Sequence, residues 1–245
     1  MVVPAYNEER RLPDTLRKIT SFLQSKSYPA QIVVVDDGSL DSTALQVQRL
    51  AEQNPMLRLL RNEHHGKAFT VRTGMLAADG HYILFTDADG ATPIEETDKL
   101  LPHLIEGCDV VIASREGMGA LRHGEPWFRH LMGRVFNFIV RTLAVPGIQD
   151  TQCGFKAFRQ EAARDLFEHM QLYRGGAVPV LGAMLTGFDV EILFLARKWG
   201  YRIAEVPVQW FYGTDSKINP LKDSWRNLTD VLQVRWNDLR GRYRR

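Results

Sequence analysis

Cysteine is scarce in this sequence, where Cys108 and Cys153 are the only two among 245 residues. Two cysteines are too few for a disulfide framework or a cysteine-rich zinc site, so the composition favours a reducing, cytosolic setting. An excess of charge is also lacking, since the formal net charge is only +2. A balance so close to neutral argues against general nucleic-acid binding as the main task.

Long hydrophobic runs are lacking as well. No signal peptide is recognisable, and no uninterrupted apolar run approaches the roughly 18 residues that span a bilayer. We therefore expect a protein that is soluble or bound peripherally to a membrane. The hydrophobic content of 44% is nevertheless ample for a buried core, and 245 residues fit one principal domain.

The first strand-like segment, Met1-Val2-Val3, is not followed by a G-x-G-x-x-G motif. Pro4-Ala5-Tyr6-Asn7-Glu8-Glu9 stands there instead. Because dinucleotide-binding folds place their glycine-rich turn at this point, the sequence counts against a dinucleotide-binding oxidoreductase.

Strand-like and helix-like segments then alternate through the first half of the chain. Apolar runs predict strands at 31–35, 57–60, 82–85 and 110–114, and helical spacing predicts helices at 13–23, 42–53, 67–78 and 94–105. Such alternation indicates an α/β fold with a mostly parallel, Rossmann-like sheet flanked by helices. Ligands of these sheets bind beyond the carboxyl ends of the strands.

Acidic turns follow two of the predicted strands, Asp36-Asp37 in one case and Asp87-Ala88-Asp89 in the other. Hard cations such as Mg²⁺ or Mn²⁺ take oxygen ligands, and a carboxylate pair at a strand end leaves coordination positions open for a diphosphate. The alternative is a solvated turn, because Asp and Gly are ordinary turn residues. Lys67, at the start of a predicted helix, would supply a cation for the diphosphate.

The motifs "VVPAYNEE", "VVVDDGS" and "DADG" together resemble inverting family-two glycosyltransferases of the nucleotide-diphospho-sugar (GT-A) fold. The segments "GKAFTVRTGM" (66–75), "TDADGAT" (86–92), "DTQCGFKAF" (150–158) and "FDVEILFLARKWGYRIAEVPVQW" (188–210) are similar to those of dolichyl-phosphate β-glucosyltransferases. The similarity covers nearly the whole chain. It implies UDP-glucose as donor, a dolichyl or other polyprenyl phosphate as acceptor, and Mg²⁺ or Mn²⁺ as cofactor.

On the donor side, the resemblance implies that Asp87 and Asp89 border the metal and the diphosphate. Asp36 either contacts the nucleotide or only satisfies backbone donors in its own turn. The residues implied to line the nucleotide pocket are Pro4, Tyr6, Glu8, Asp37, which would lie near the uracil or ribose, Lys67 and Asp87.

On the acceptor side, Arg115 and Arg129 match positions that grip the acceptor phosphate in related mannosyltransferases, a task that suits guanidinium forks. For Arg129 the alternative is a solvated arginine on an amphipathic helix. Asp150 is implied to lie at the reaction centre and to orient the sugar or the acceptor. Asp189 matches the position where relatives acting on hydroxyl acceptors keep their base, and here we expect a sugar-hydroxyl contact. Glu191 is equally explained as a helix N-terminal residue favoured by the dipole.

Two further segments are amphipathic. We expect a catalytic domain at 1–212. It would contain a helix at 126–144 whose apolar residues surround a narrow polar stripe. A basic helix at 213–245, with eight basic residues against four aspartates, would follow. Both would lie at an anionic membrane surface. The alternatives are a core helix for the first segment and a solvated helix for the second. The apolar, glycine-rich stretch 171–187 is a candidate lid, membrane-dipping loop or insertion.

Other functions remain open at the level of sequence. The donor would be GDP-mannose or UDP-N-acetylglucosamine in one alternative, and a hydroxyl acceptor with Asp189 as base is a second. A non-catalytic, membrane-associated protein that binds nucleotide sugars is a third, although a complete acceptor side argues against it. We expect a cytoplasmic protein, peripheral on the cytosolic face of a membrane.

Overall fold

The computed structural model describes residues 1–173, 187–213 and 220–244, and for 220–225 the backbone alone. Most of the stretch 171–187 and the side chain of Trp225 therefore lie outside the described residues. The strands are β1 (Val2–Ala5), β2 (Ile32–Asp36), β3 (Leu57–Arg61), β4 (Tyr82–Thr86), β5 (Val110–Ser114), β6 (Leu121–His123), β7 (Phe155–Arg159), β8 (Ile203–Pro207) and β9 (Gln209–Phe211). The helices are α1 (Leu12–Gln24), α2 (Thr43–Gln53), α3 (Lys67–Ala77), α4 (Thr97–Ile105), preceded by a 3₁₀ turn at Ile94–Glu96, α5 (Trp127–Leu143), α6 (Gln160–His169), α7 (Phe188–Lys198) and α8 (Pro220–Leu239).

Within the described part of the chain, seven strands form the central sheet in the order β3-β2-β1-β4-β7-β5-β8. All neighbours are parallel except β7, which runs antiparallel to β4 and β5. The chain builds outward from β1 to β3 and then returns to place β4 on the other side of β1. The strand order therefore reverses between β1 and β4, and in open α/β sheets ligands bind at such a switch point.

Pro4 ends the hydrogen-bonded ladder at this switch point. The carbonyl oxygens of Met1 and Ala5 both accept hydrogen bonds from the β2 side. Because the backbone groups of successive strand residues point to opposite neighbours, Pro4 faces β4. Proline has no N–H to donate, and the registered pairing of β1 with β4 is confined to Val2 and Phe85. The loop that follows β1 thus emerges beside the turn that follows β4.

Helices cover both faces of the sheet, which explains why β1, β2 and β5 are buried along their whole length without alternation. In β2, Val33 and Val35 pack into one cluster with residues of α3, α6 and α7. Val34 points to the opposite face and packs with residues of α1 and α4. The result is a three-layer α/β/α arrangement.

The strands and helices predicted for the first half are confirmed, and so is the mostly parallel, helix-flanked sheet. Their ends shift by one or two residues, except that the helix predicted from residue 94 begins as a 3₁₀ turn and becomes α-helical at Thr97. The antiparallel strand β7 and the two-stranded β6–β9 ribbon were not predicted. β7 follows directly on "DTQCG", and β9 carries the tryptophan that ends the "VPVQW" run.

The amphipathic helix α5 is largely exposed. Of its 17 residues only Asn137 and Val140 are buried, whereas Trp127 and Phe138 are 78% and 67% exposed. The core-helix alternative is therefore wrong for this segment. None of the helices in the described part of the chain is both long and apolar enough to cross a membrane.

Candidate active site at the sheet edge

Hydrogen bonds tie the loop after β1 to the loop after β2. The backbone N–H of Asn7 donates to Ser39 Oγ at 2.9 Å, and the N–H of Leu40 donates to Asn7 Oδ1 at 2.9 Å. Asn7 has a φ of 52°, in the left-handed region that asparagine tolerates better than most residues. This bracing fixes the predicted nucleotide residue Glu8, whose carboxylate pairs with Arg11 at 2.7 Å.

His64, which was not predicted as a site residue, contacts both Tyr6 and Asp37. The rings of Tyr6 and His64 stack with centroids 3.8 Å apart and an interplanar angle of 7°. His64 Nδ1 lies 2.7 Å from Asp37 Oδ2, and Asp37 also accepts the backbone N–H groups of His65 and Gly66 at 3.0 and 2.8 Å. Asp37 is 2% exposed, so the structure places it as a brace for His64 and for the start of α3.

Asp36 is fully buried at the end of β2. Its Oδ2 accepts the backbone N–H of Ser39 at 3.2 Å, while its Oδ1 has no hydrogen-bond partner among the residues described. The contact with Ser39 agrees with the interpretation that Asp36 satisfies donors within its own turn.

Asp87, in the acidic turn after β4, contacts Lys67 on the predicted nucleotide side of the site. Its Oδ1 lies 2.5 Å from the ammonium of Lys67, at the first position of α3. Desolvation would lower the pKa of Lys67, but Asp87 and Asp189 outweigh it and raise that pKa, so the lysine stays charged. A Cβ at Gly154 would overlap the Asp87 carboxylate. Only glycine leaves room at this point for Asp87 to lie against the start of β7.

Asp89 lies two residues further along, exposed at the crevice, and its Oδ1 accepts the backbone N–H of Ala91 at 3.0 Å. Desolvation and the neighbouring Asp87 raise the pKa of Asp89. A divalent cation would relieve that repulsion, so the pair fits a metal. Among the described residues, no group of three or more His, Cys, Asp or Glu could hold a metal ion.

Arg115, which is partly exposed, forms a bidentate ion pair with the buried carboxylate of Asp150. Arg115 donates from Nε to Asp150 Oδ2 at 2.7 Å, from Nη2 to Oδ1 at 2.9 Å and from its backbone N–H to Oδ2 at 2.9 Å. Burial alone would raise the pKa of Asp150, but Arg115 holds it well below its ordinary value. Asp150 is 0% exposed, so it lies behind Arg115, and its predicted role at the reaction centre stays a prediction.

Arg129 extends from the first turns of α5 toward the β9 segment. Its guanidinium carbon lies 5.4 Å from the centre of the Tyr212 ring. The guanidinium carbon of Arg115 lies 5.3 Å from the centre of the Trp210 ring. Both predicted acceptor-side arginines therefore contact aromatic rings of the same short segment.

Asp189, at the start of α7, pairs with a lysine that was not predicted. Lys156 Nζ lies 2.5 Å from Asp189 Oδ1 and 2.5 Å from the carbonyl oxygen of Cys153. The lysine side chain is 1% exposed and that of Asp189 is 8% exposed. Burial raises the pKa of Asp189 despite the opposing charges of Lys156 and Lys67. The Lys156 contact occupies one oxygen of the Asp189 carboxylate.

Glu191 has a structural role that its helix position did not reveal. Its fully buried carboxylate accepts hydrogen bonds from the backbone N–H groups of Gln171 and Leu172 and from the Tyr243 hydroxyl, the last at 2.5 Å. Burial raises its pKa to about 7. Glu191 thus joins α7 to the end of the chain.

Sequence reasoning missed several residues of this site. Gly154 and Lys156 both lie within "DTQCGFK", so the motif marked them without indicating what they contact. Trp210 and Tyr212 stand at alternate positions, the spacing that puts side chains on one face of a strand. Nothing in the sequence marked His64 as a site residue except its position shortly before Lys67.

Comparison with known proteins identifies the family. The model of glycosyl transferase family 2 matches residues 1–167. The dolichyl-phosphate β-glucosyltransferase of Dictyostelium discoideum is 37% identical over 98% of this chain and 75% of its own length. The enzyme of the same name from Homo sapiens is 33% identical over 100% of this chain and 76% of its own. The predicted resemblance to this group is thereby confirmed.

Solved structures show the same fold at lower identity. Mannosyl-3-phosphoglycerate synthase from Rubrobacter xylanophilus superposes with a TM-score of 0.67 at 19% identity and covers 100% of this chain and 75% of that chain. Glucosyl-3-phosphoglycerate synthase from Mycobacterium tuberculosis, in complex with Mn²⁺ and UDP-glucose, gives 0.63 at 18% identity and covers 95% and 77%. The predicted GT-A fold is confirmed.

Proposed function

Because the chain belongs to glycosyl transferase family 2, we propose that it transfers glucose, with inversion, from UDP-glucose to the phosphate of a dolichyl or other polyprenyl phosphate. The observation that carries this proposal is 37% identity, over 98% of the chain, to a relative named for dolichyl-phosphate β-glucosyl transfer. The product would be a lipid-linked β-glucosyl phosphate.

The donor would bind at the switch point between β1 and β4. The stacked rings of Tyr6 and His64 offer a flat surface for the base, and Lys67 supplies a positive charge beside the diphosphate. Asp87 and Asp89 would hold Mg²⁺ or Mn²⁺, an assignment supported by the structural neighbour that binds Mn²⁺ and UDP-glucose. When bound, the metal would neutralise the negative charge that accumulates on the departing diphosphate.

The acceptor needs cations more than it needs a base. A phosphate monoester is already anionic near neutral pH, since its second pKa is about 6 in phospho-amino acids. The enzyme must therefore hold two mutually repelling anions in line. Arg115 and Arg129 would bind the acceptor phosphate, and Asp150 would fix Arg115 in place through its bidentate pair.

Asp189 would contact a hydroxyl of the sugar with the oxygen that Lys156 does not occupy. This role requires orientation rather than proton transfer, so Asp189→Asn should reduce the rate less than Asp150→Asn, which loosens Arg115. Steady-state kinetics with both variants would show the ranking. The reverse order would mean that base catalysis, and hence a hydroxyl acceptor, is involved.

A membrane surface would deliver the lipid acceptor to this crevice. The exposed apolar side chains of α5 adjoin Arg129 on the same helix, and on α8 Leu232, Trp236 and Leu239 are 53%, 50% and 73% exposed. Interfacial helices bury such faces in the headgroup region while their basic residues meet anionic lipid. The protein would then work from the cytosolic face of the membrane as a peripheral enzyme.

The decisive experiment incubates the protein with radiolabelled UDP-glucose, Mn²⁺ and a short-chain polyprenyl phosphate, followed by organic extraction. Label should enter the organic phase, chelator should prevent it, and Asp89→Ala should abolish it without unfolding the protein. Asp79→Ala is the matched control, because Asp79 is exposed at the opposite end of β4. Lipid labelling from GDP-mannose alone would reassign the donor, and no labelling from any nucleotide sugar would refute catalysis.

A further inference from the structure

Two aromatic rings at alternate positions lie beside both acceptor-side arginines. Trp210 is the middle residue of β9, and Tyr212 follows the strand directly. Their ring centroids are 6.0 Å apart in an edge-to-face arrangement. The guanidinium of Arg115 lies over the first ring and that of Arg129 over the second, at 5.3 and 5.4 Å. The two cations come from different elements, yet one short segment contacts both.

The backbone of this segment is fixed to the donor side of the crevice. The N–H of Phe211 donates to the carbonyl oxygen of Ala91, two residues beyond Asp89, at 2.8 Å. The N–H of Tyr212 donates to the carbonyl oxygen of His123 on the β6 side at 2.8 Å. A pocket opens between the two parts, with 89–91 on one side and 211–213 on the other. The position of the rings is therefore tied to the position of the acidic turn.

The two arginines depend on the rings to different degrees. Arg115 is held by Asp150 through two side-chain hydrogen bonds. Arg129 has no carboxylate partner among the residues that the structure describes, and its guanidinium lies over the Tyr212 ring. A free arginine side chain loses rotamer entropy when a ligand immobilises it. A ring that restricts Arg129 beforehand would lower that cost.

Aromatic rings suit this task better than carboxylates do. A guanidinium that stacks on a ring uses its face, and its N–H groups point outward in the plane, where a phosphate can accept them. A carboxylate partner occupies such N–H groups and offsets the charge, as Asp150 does at Nε and Nη2 of Arg115. At Arg129 the Tyr212 ring orients the cation while leaving both its charge and its donors for the phosphate.

We propose that Trp210 and Tyr212 are positioning residues that hold Arg115 and Arg129 on the β9 segment, and so set the distance of the acceptor phosphate from the donor. The inference rests on the proposed function and adds to it the device that presents the lipid phosphate. Because Arg115 has a second support, Tyr212 matters more than Trp210.

The first test measures binding of a short-chain prenyl phosphate by calorimetry, without a sugar donor. Loss of the ring in Tyr212→Leu should weaken binding about tenfold, within the range that a lost cation–π contact allows. Tyr212→Phe keeps the ring and should stay within about twofold of wild type. Trp210→Leu should weaken binding by only about threefold. Equal losses in Tyr212→Leu and Tyr212→Phe would assign the effect to the hydroxyl and overturn the proposal.

A second test asks whether Tyr212 acts through Arg129. In an Arg129→Ala background, adding Tyr212→Leu should cause no further loss of affinity, since the contact is already absent. Affinity for UDP-glucose with Mn²⁺ should be unchanged in every variant. An additive loss in the double variant, or a matching loss of UDP-glucose affinity, would refute the positioning role.

Binding and turnover separate this inference from the proposed function. A wild-type protein that binds the prenyl phosphate without forming a glucolipid would refute the reaction, while the affinities of the variants still decide the role of the rings. A wild-type protein that binds no prenyl phosphate would overturn the inference. In active protein, Tyr212→Leu should raise the KM for the prenyl phosphate with little change in kcat, and an unchanged KM would contradict it.

Discussion

Removal of the buried ammonium of Lys156 provides a direct test of the charge arrangement behind Asp189. In Lys156→Met the side chain keeps its length, but Asp189 loses the ammonium 2.5 Å from its Oδ1. Removing one partner of a buried ion pair costs about 3–5 kcal/mol, because the other charge stays desolvated and unpaired. At about 2–4 °C per kcal/mol for a chain of this size, the melting temperature should fall by roughly 6–20 °C.

The loss should also depend on pH, in a direction that follows from the carboxyl group. Burial raises the pKa of Asp189 and Lys156 opposes that rise, so the pKa should climb further in the variant. A carboxyl whose pKa is higher in the folded than in the unfolded state contributes stability at low pH and loses it as pH rises through the folded value. The destabilisation of Lys156→Met should therefore be largest near pH 8 and shrink toward pH 5.

Urea or thermal unfolding across this pH range would measure the effect. Lys26→Met is the matched control, because Lys26 pairs with Asp98 at a similar distance, 2.7 Å, but at the surface, where such a pair contributes about 0–1 kcal/mol. Adding Asp189→Asn to Lys156→Met should restore part of the stability. A small loss, equal to that of Lys26→Met and independent of pH, would refute the reasoning.

Three further changes test other parts of the structure. Gly154→Ala should displace the Asp87 carboxylate and weaken Mn²⁺ binding at least tenfold, as measured by calorimetry. The control Gly133→Ala, at a position with open space around its Cβ, should bind Mn²⁺ as wild type does. Equal Mn²⁺ affinities of the two variants would contradict the close approach of Gly154 to Asp87. Glu191 has a pKa raised from 4.5 to about 7. The free energy of unfolding of the wild type should therefore fall between about pH 5 and pH 8, and that of Glu191→Gln should fall less. Urea denaturation that gave the same pH dependence for both proteins would count against this. Phe138→Ser should reduce co-sedimentation with anionic vesicles at low salt without lowering the melting temperature, and undiminished binding would remove α5 from the membrane contact.

The strand-end turns were predictable because parallel sheets place ligands at one edge, and the motif residues fall there. The partners of those residues were not. Asp150 pairs with Arg115, 35 residues away, and Asp189 pairs with Lys156, 33 residues away. No local pattern encodes which charges meet after strands and helices pack. The same limit hid His64, whose role depends on a loop that follows a different strand.

The helix α5 shows another limit of sequence patterns. An apolar helix face looks the same whether it packs in a core or meets lipid, so spacing alone left both interpretations open. The exposure of Trp127 and Phe138 decided against the core. Likewise, the antiparallel direction of β7 depends on how the chain re-enters the sheet, which the length and composition of a short strand do not specify.

The hydrogen bond from Tyr243 to Glu191 has a practical consequence for truncated forms of this protein. Tyr243 is 1% exposed, and its hydroxyl lies 2.5 Å from a carboxylate on the helix that carries Asp189. A form shortened before Tyr243 would leave the buried Glu191 carboxylate without one of its hydrogen-bond donors. Damage to catalysis after trimming the last residues would then be misread as loss of a membrane anchor, unless activity were also measured on a water-soluble acceptor.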